Sequence, residues 1–165
     1  MDFIIRIMEE KDIKQVQNIA KLTWHATYEG IIPFVIQDKF LGAAYSDESM
    51  IKRLKQSDLY IATSGDLILG FANFYSLKEK GEVELGAIYI HPDLQARGLG
   101  TALLNKGINK SKTTEKIFLD VEKENLPGIN FYKAKGFNVL HEFDDNLYGH
   151  HTKMLRMCLQ VKEVV

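Results

Sequence analysis

The stretch Ile88-Tyr89-Ile90-His91-Pro92-Asp93-Leu94-Gln95-Ala96-Arg97-Gly98-Leu99-Gly100-Thr101 constrains this chain more than any other. An apolar run ends at Pro92, a short polar loop follows, and Gly98 and Gly100 stand where a helical pattern begins. The first turn of such a helix carries N–H groups with no partner inside the helix, at the positive end of its dipole. It is a ready site for an anion. Glycine at 98 and 100 lets a phosphate approach the main chain and Arg97 adds a full charge, so a pyrophosphate fits. Close helix–strand packing is the competing reason for two such glycines. A dinucleotide-binding fingerprint is not matched: a third glycine is missing, and the strand comes late in an antiparallel meander. The Gly-Lys-Ser/Thr of a nucleoside-triphosphate loop is also missing.

The rest of the chain supplies the elements around that turn. Residues 3–8 suit a strand. Ile13, Val16, Ile19, Ala20, Thr23 and Trp24 recur at helical spacing, with Asp12 as an N-terminal charge and Gly30 as the stop after Tyr28. Pro33 opens a second helical region at 34–40, and Asp47-Glu48-Ser49 cap a third that runs to Gln56. From Leu59 the period becomes two: strands at 59–63 and 67–77 flank Ser64-Gly65-Asp66, and a turn at 78–81 leads to a strand at 83–90. A helix carrying Leu99, Leu103, Leu104 and Ile108, a strand at 117–121, a helix at 128–135 and strands at 137–143 and 152–160 follow. A polar loop with Asp144, Asp145, Asn146, His150 and His151 joins the last two. This order predicts an α/β fold, with a mixed sheet and helices on both faces.

The 165 residues, 45% of them hydrophobic, suffice for one domain spanning 1–165 with its own core. Lys+Arg number 21 against 22 Asp+Glu, so the chain lacks the basic excess that draws in nucleic acid or an anionic membrane. The start does not resemble a signal peptide, and no stretch reaches the ~20 apolar residues of a membrane span. The expectation is a soluble, cytoplasmic protein. Cys158 stands alone, which excludes an internal disulfide and a Cys-x-x-Cys site. His141, Asp144, Asp145, His150 and His151 lack a metal-binding spacing, so the expectation is no metal and a polar surface turn.

The segment Gln95-Ala96-Arg97-Gly98-Leu99-Gly100 resembles the pyrophosphate motif Gln/Arg-x-x-Gly-x-Gly/Ala of the GNAT superfamily of acetyl-CoA-dependent N-acetyltransferases. A second motif of that family is matched one strand later by Asn125-Leu126-Pro127-Gly128-Ile129-Asn130-Phe131-Tyr132-Lys133-Ala134-Lys135-Gly136-Phe137. Pro127-Gly128 departs from the family's helix former followed by alanine, a small adjustment at a first helical turn. The resemblance covers nearly the whole chain and implies the acyl-CoA N-acyltransferase fold. Its sheet is central, mostly antiparallel, splayed at the CoA site and flanked by helices.

The resemblance also implies residue roles. The N–H groups of Ala96, Arg97, Gly98, Leu99, Gly100 and Thr101, with Gln95 in the same motif, hold the CoA pyrophosphate. Main-chain groups of Ile88 and Ile90 pair with the pantetheine arm, Asn125 hydrogen-bonds it, and the amide of Ile88 or Tyr89 meets the thioester oxygen. Glu84 removes a proton from the acceptor amine through water, unless it is a solvated strand glutamate or one end of a cross-strand ion pair. Tyr132 protonates the departing thiolate, unless it is packing beside Phe131. Tyr28 and Glu29, in a family-like Trp-x-x-x-Tyr-x-Gly-Ile-Ile-Pro segment, wall the acceptor side, while Trp24 is core. Lys106, Lys110 and Lys112 form a solvated helix face from which one could approach the 3′-phosphate of CoA.

The implied reaction is direct transfer from acetyl-CoA to a primary amine: a polyamine, another small amine or a protein N-terminus. The expected partner is thus a small-molecule or peptide amine, and a homodimer is the commonest assembly for a soluble oligomer. A non-catalytic acyl-CoA sensor is the alternative from another class, and the presence of both Glu84 and Tyr132 favours catalysis over it.

Overall fold

A computed structural model describes residues 2–161. Seven strands form one sheet in the order β1-β2-β3-β4-β5-β7-β6: β1 (Ile4–Ile7), β2 (Asp58–Ser64), β3 (Leu67–Ser76), β4 (Glu82–Ile90), β5 (Lys116–Glu122), β6 (Asn138–Leu147) and β7 (His150–Gln160). All neighbours are antiparallel except β4 and β5. The helices are α1 (Ile13–Tyr28), α2 (Phe34–Ala44), α3 (Asp47–Gln56), α4 (Leu99–Asn109) and α5 (Leu126–Ala134).

Strand alternation sorts the apolar residues into two cores. Ile61 and Phe71 face α1 and its neighbours, with Val16, Ile19, Trp24 and Met50. Tyr60, Ala72 and Phe74 face the opposite way, onto Leu99, Leu103 and Leu104 of α4, with Ile117, Leu119 and Ile129 beyond. Side chains of period two on a pleated strand thus require helices on both faces. Helix α4 lies close to the sheet because residue 107 is glycine: a Cβ there would stand 2.1 Å from the Phe74 ring.

Several local expectations are revised. Asp12 stands at the N-terminus of α1 as expected, although its side chain makes no capping hydrogen bond to that helix. It sits in a 3-10 turn at Glu10–Asp12, where its carboxylate accepts the Glu9 N–H at 2.9 Å and pairs with Arg6 at 2.8 and 3.0 Å. The cap of α3 is Ser46, whose hydroxyl oxygen accepts the Ser49 N–H at 3.1 Å, while Asp47 and Glu48 occupy the first turn. Helix α5 begins at Leu126, two residues earlier than the pattern predicts, because Asn125 Oδ1 accepts the Gly128 N–H.

The largest revision concerns residues 144–151. They are not a loop: β6 runs to Leu147, β7 starts at His150, and Tyr148-Gly149 alone turn the chain, both at positive φ (49° and 88°). Two such residues match the right-handed twist of a tight hairpin, and Asn146 Oδ1 fixes the turn by accepting the Gly149 N–H at 2.8 Å.

Candidate active site

The site begins where two parallel strands part. β4 pairs with β5 only over Glu82–Glu84 and Lys116–Phe118, yet β4 continues to Ile90 and β5 to Glu122. Beyond the junction each strand is held only from its outer side, β4 by β3 and β5 by β7. Gly86 marks the point of divergence. Leu85 pairs with Phe74 and Ala87 with Asn73, so Gly86 is the extra residue of a bulge, which bends the strand. A Cβ at Gly86 would lie 2.7 Å from the Tyr75 ring, so only glycine fits.

The ladder decides which main-chain groups of β4 remain free. His91 N–H donates to Leu69 O at 2.9 Å, and in this register Tyr89 and Ala87 also form hydrogen-bonded pairs, with Phe71 and Asn73. Ile88 and Ile90 therefore direct their main-chain groups into the splay. Of the two amides expected to meet a developing charge, Ile88 has the free one and Tyr89's is taken by β3. The Ile90 carbonyl receives only long contacts, from Thr23 Oγ1 and Gln95 Nε2 at 3.4 Å.

At the end of β4 the chain makes the predicted turn. Pro92–Leu94 form one 3-10 turn, His91 Nδ1 accepts the Asp93 N–H, and Gln95, Ala96, Arg97 and Gly98 are exposed. Ala96 (φ 63°) and Gly98 (φ 83°) adopt the left-handed conformation. The first intrahelical bond of α4 is Ala102 N–H to Gly98 O, so the amides of Leu99, Gly100 and Thr101 have no acceptor within the helix. The two glycines have different reasons. A Cβ at Gly98 would meet nothing within 4 Å, so its requirement is conformational. A Cβ at Gly100 would stand 3.1 Å from the Phe131 ring, which makes that glycine a packing residue between α4 and α5.

Tyr132 packs between Phe131 and Phe137, at ring separations of 5.6 and 5.7 Å. Burial, with Tyr89 nearby, drives its phenol above the usual range, so it is a neutral O–H at any physiological pH. Tyr28, at the end of α1, is raised likewise by burial, then by Tyr89 and Tyr132, with the Asn125 amide acting in the opposite sense. Tyr28, Asn125 and Tyr132 thus lie near one another. Glu29 is exposed. Trp24 is core, as expected: its ring stacks on Phe40 at 4.2 Å and its Nε1–H donates to the Tyr89 hydroxyl at 2.9 Å.

Glu84, the last β4 residue paired with β5, is one end of an ion pair. Arg156 Nη1 on β7 lies 2.7 Å from both its oxygens and 3.1 Å from Asp120 Oδ1. Burial raises the Glu84 carboxyl above its ordinary value, and Arg156 opposes that rise. Sequence reasoning did not find Arg156, Asp120 or Gly86. Signals existed: an arginine inside the apolar run Met154-Leu155-Arg156-Met157-Cys158, and a lone glycine inside a strand. Lys110 is exposed, as predicted, and also pairs with Asp58.

Residues 16–137 match the acetyltransferase (GNAT) family. The chain belongs to that family. It is similar to a spermidine N(1)-acetyltransferase of Thermoplasma acidophilum, 27% identical over 147 residues that cover 84% of this chain and 90% of that protein. An uncharacterized N-acetyltransferase, YuaI, of Bacillus subtilis is 30% identical over 135 residues, 79% of this chain and 77% of its own. The crystal structure of the PaiA N-acetyltransferase from Thermoplasma acidophilum in complex with coenzyme A superposes with a TM-score of 0.85 at 22% identity, covering 98% of this chain and 100% of that one.

This acetyltransferase therefore takes its acetyl group from acetyl-CoA. The local geometry fits such a donor. Left-handed Ala96 and Gly98 and three helix amides without intrahelical partners present N–H groups for a diphosphate, and the open edge of β4 offers an extended arm one strand position.

Proposed function

We propose that this acetyltransferase acetylates a primary amine by direct transfer, with donor and acceptor bound together, and that a polyamine is the first acceptor to try. The reading is carried by the splay between β4 and β5, which leads from Glu84 toward the 96–101 turn, with Tyr132 packed against the same core as Ile88 and Ile90. The likeness to a spermidine acetyltransferase supports the polyamine choice.

An alkyl ammonium has a pKa near 10.4, so only about one part in a thousand is the neutral nucleophile at pH 7 to 7.5. In this reading the ion pair with Arg156 and the base role coexist: each Glu84 oxygen keeps a lone pair beyond the one facing Arg156, and Glu84 accepts that proton through water. The Ile88 N–H, free of the β3–β4 ladder, stabilises the oxygen on which charge develops. The Tyr132 hydroxyl gives a proton, or a hydrogen bond, to the leaving sulfur. Asn125 holds the pantetheine arm, and Gln95 through Thr101 hold the diphosphate. Tyr28 walls the acceptor side with Glu29 at its rim. Acetyl-CoA supplies the activated acyl group as a thioester.

The single sheet supports reading residues 1–165 as one catalytic domain. No helix among the described residues is long and apolar enough to cross a membrane. A cytoplasmic enzyme, working alone or as a homodimer, completes the proposal. The test is thiol release from acetyl-CoA with spermidine, spermine, simple monoamines and peptides with free N-termini, each product checked by mass for one added acetyl group. Spermidine-dependent release is expected. Tight CoA binding without release from any amine would overturn the reading and leave a CoA sensor.

A further inference from the structure

We infer that Arg156 is a positioning residue for proton removal: its guanidinium keeps the Glu84 carboxylate ionised and fixed at the mouth of the splay, and Asp120 tempers that hold by sharing the same nitrogen. This rests on Glu84 as the base, and it adds a residue from the far side of β5.

The three charges come together through the sheet. Asp120 on β5 stands directly across from Arg156 on β7, and Glu84 on β4 stands across from Phe118 on β5. Arg156 thus spans β5 to reach β4, with its Cζ 5.0 Å from the Phe118 ring centre and Nη1 bridging both carboxylates. The side chains of Glu84 and Arg156 are only 23% and 22% exposed, so neither charge is well solvated without the other. A carboxylate in that setting would hold its proton at higher pH if the cation were removed. A protonated Glu84 cannot act as a base.

The groups around Glu84 set the sign of each perturbation. Arg156 lowers its titration and Asp120 raises it. Tyr75 is its cross-strand neighbour on β3, Glu82 lies two residues earlier on β4, and His141 stands across from Arg156 on β6. Removing the guanidinium should therefore move the Glu84 midpoint up, whereas removing the Asp120 charge should move it down.

The experiment follows the Glu84 carboxyl by carbon-13 NMR in the full chain labelled at glutamate, with the resonance assigned through Glu84→Gln. In Arg156→Gln the midpoint should rise by about one pH unit or more, and Arg156→Lys, which restores a cation, should recover part of that rise. In Asp120→Asn it should fall. The acidic limb of kcat/KM for spermidine with acetyl-CoA should move with these midpoints, while the KM for acetyl-CoA stays constant. An unmoved midpoint in Arg156→Gln, or a rise in Asp120→Asn, overturns the role assigned to Arg156. If Arg156→Gln does not fold, the Asp120→Asn shift decides alone. Full activity of Glu84→Gln would instead remove Glu84 as the base, a failure that the midpoints register separately.

Discussion

The ring of Phe131 lies 3.1 Å from the place a Cβ of Gly100 would occupy, while the neighbouring glycine at 98 faces open space. Two glycines of one motif are thus held by different physics: helix packing at 100 and a left-handed main chain at 98.

Gly98→Val should therefore weaken acetyl-CoA binding by tenfold or more, because a β-branched residue resists φ +83° and bulk enters the turn that faces the diphosphate. Gly100→Ala should chiefly lose stability, by about 1–2 kcal/mol, since the crowded ring must shift. Calorimetric titration and thermal unfolding of both variants separate the two effects.

Tyr132→Phe removes one oxygen from a ring already fixed by Phe131 and Phe137. Affinity for CoA should stay within about twofold and turnover should fall roughly 100-fold, the low end for a lost proton donor, because a thiolate with a pKa near 8.5 leaves readily. Single-turnover kinetics check this, and an unchanged chemical step would reduce Tyr132 to packing.

Asp12 is buried against Arg6, whose guanidinium holds its carboxyl below the ordinary value. A carboxyl depressed on folding stabilises the protein above its unfolded pKa, near 4, and that contribution is lost as pH falls toward the folded value. Asp12→Asn should cost about 2 kcal/mol at pH 7, with Arg6 partly exposed, and should flatten the decline between pH 5 and pH 3. Urea unfolding across that range measures both.

Tyr89→Phe leaves the Trp24 Nε1–H without its 2.9 Å acceptor in a buried aromatic cluster. A loss of about 1–3 kcal/mol is expected. A double-mutant cycle with Trp24→Phe should return part of it, because the orphaned donor then disappears.

What the sequence disclosed follows from the range of each interaction. The order of strands and helices and the 96–101 turn are local, written in hydrophobic period, glycine and proline, whereas the Asn125 cap that starts α5 at Leu126 was not legible there. The hairpin at Tyr148-Gly149 was obscured because Asp144, Asp145, His150 and His151 have the composition of a loop, although they alternate along paired strands. The Glu84–Arg156–Asp120 cluster was hidden for another reason: residues 72 and 36 positions from Arg156 meet it only because β7 inserts between β5 and β6. Ile88 rather than Tyr89 as the free amide depends on a register that no single strand reveals.

The most direct measurement is a backbone amide NMR titration with coenzyme A. The account predicts that the amides of Leu99, Gly100 and Thr101 shift to saturation together with Ile88, and that the shifts at 99–101 are lost in Gly98→Val. Saturable binding that leaves residues 96–101 unmoved would contradict it.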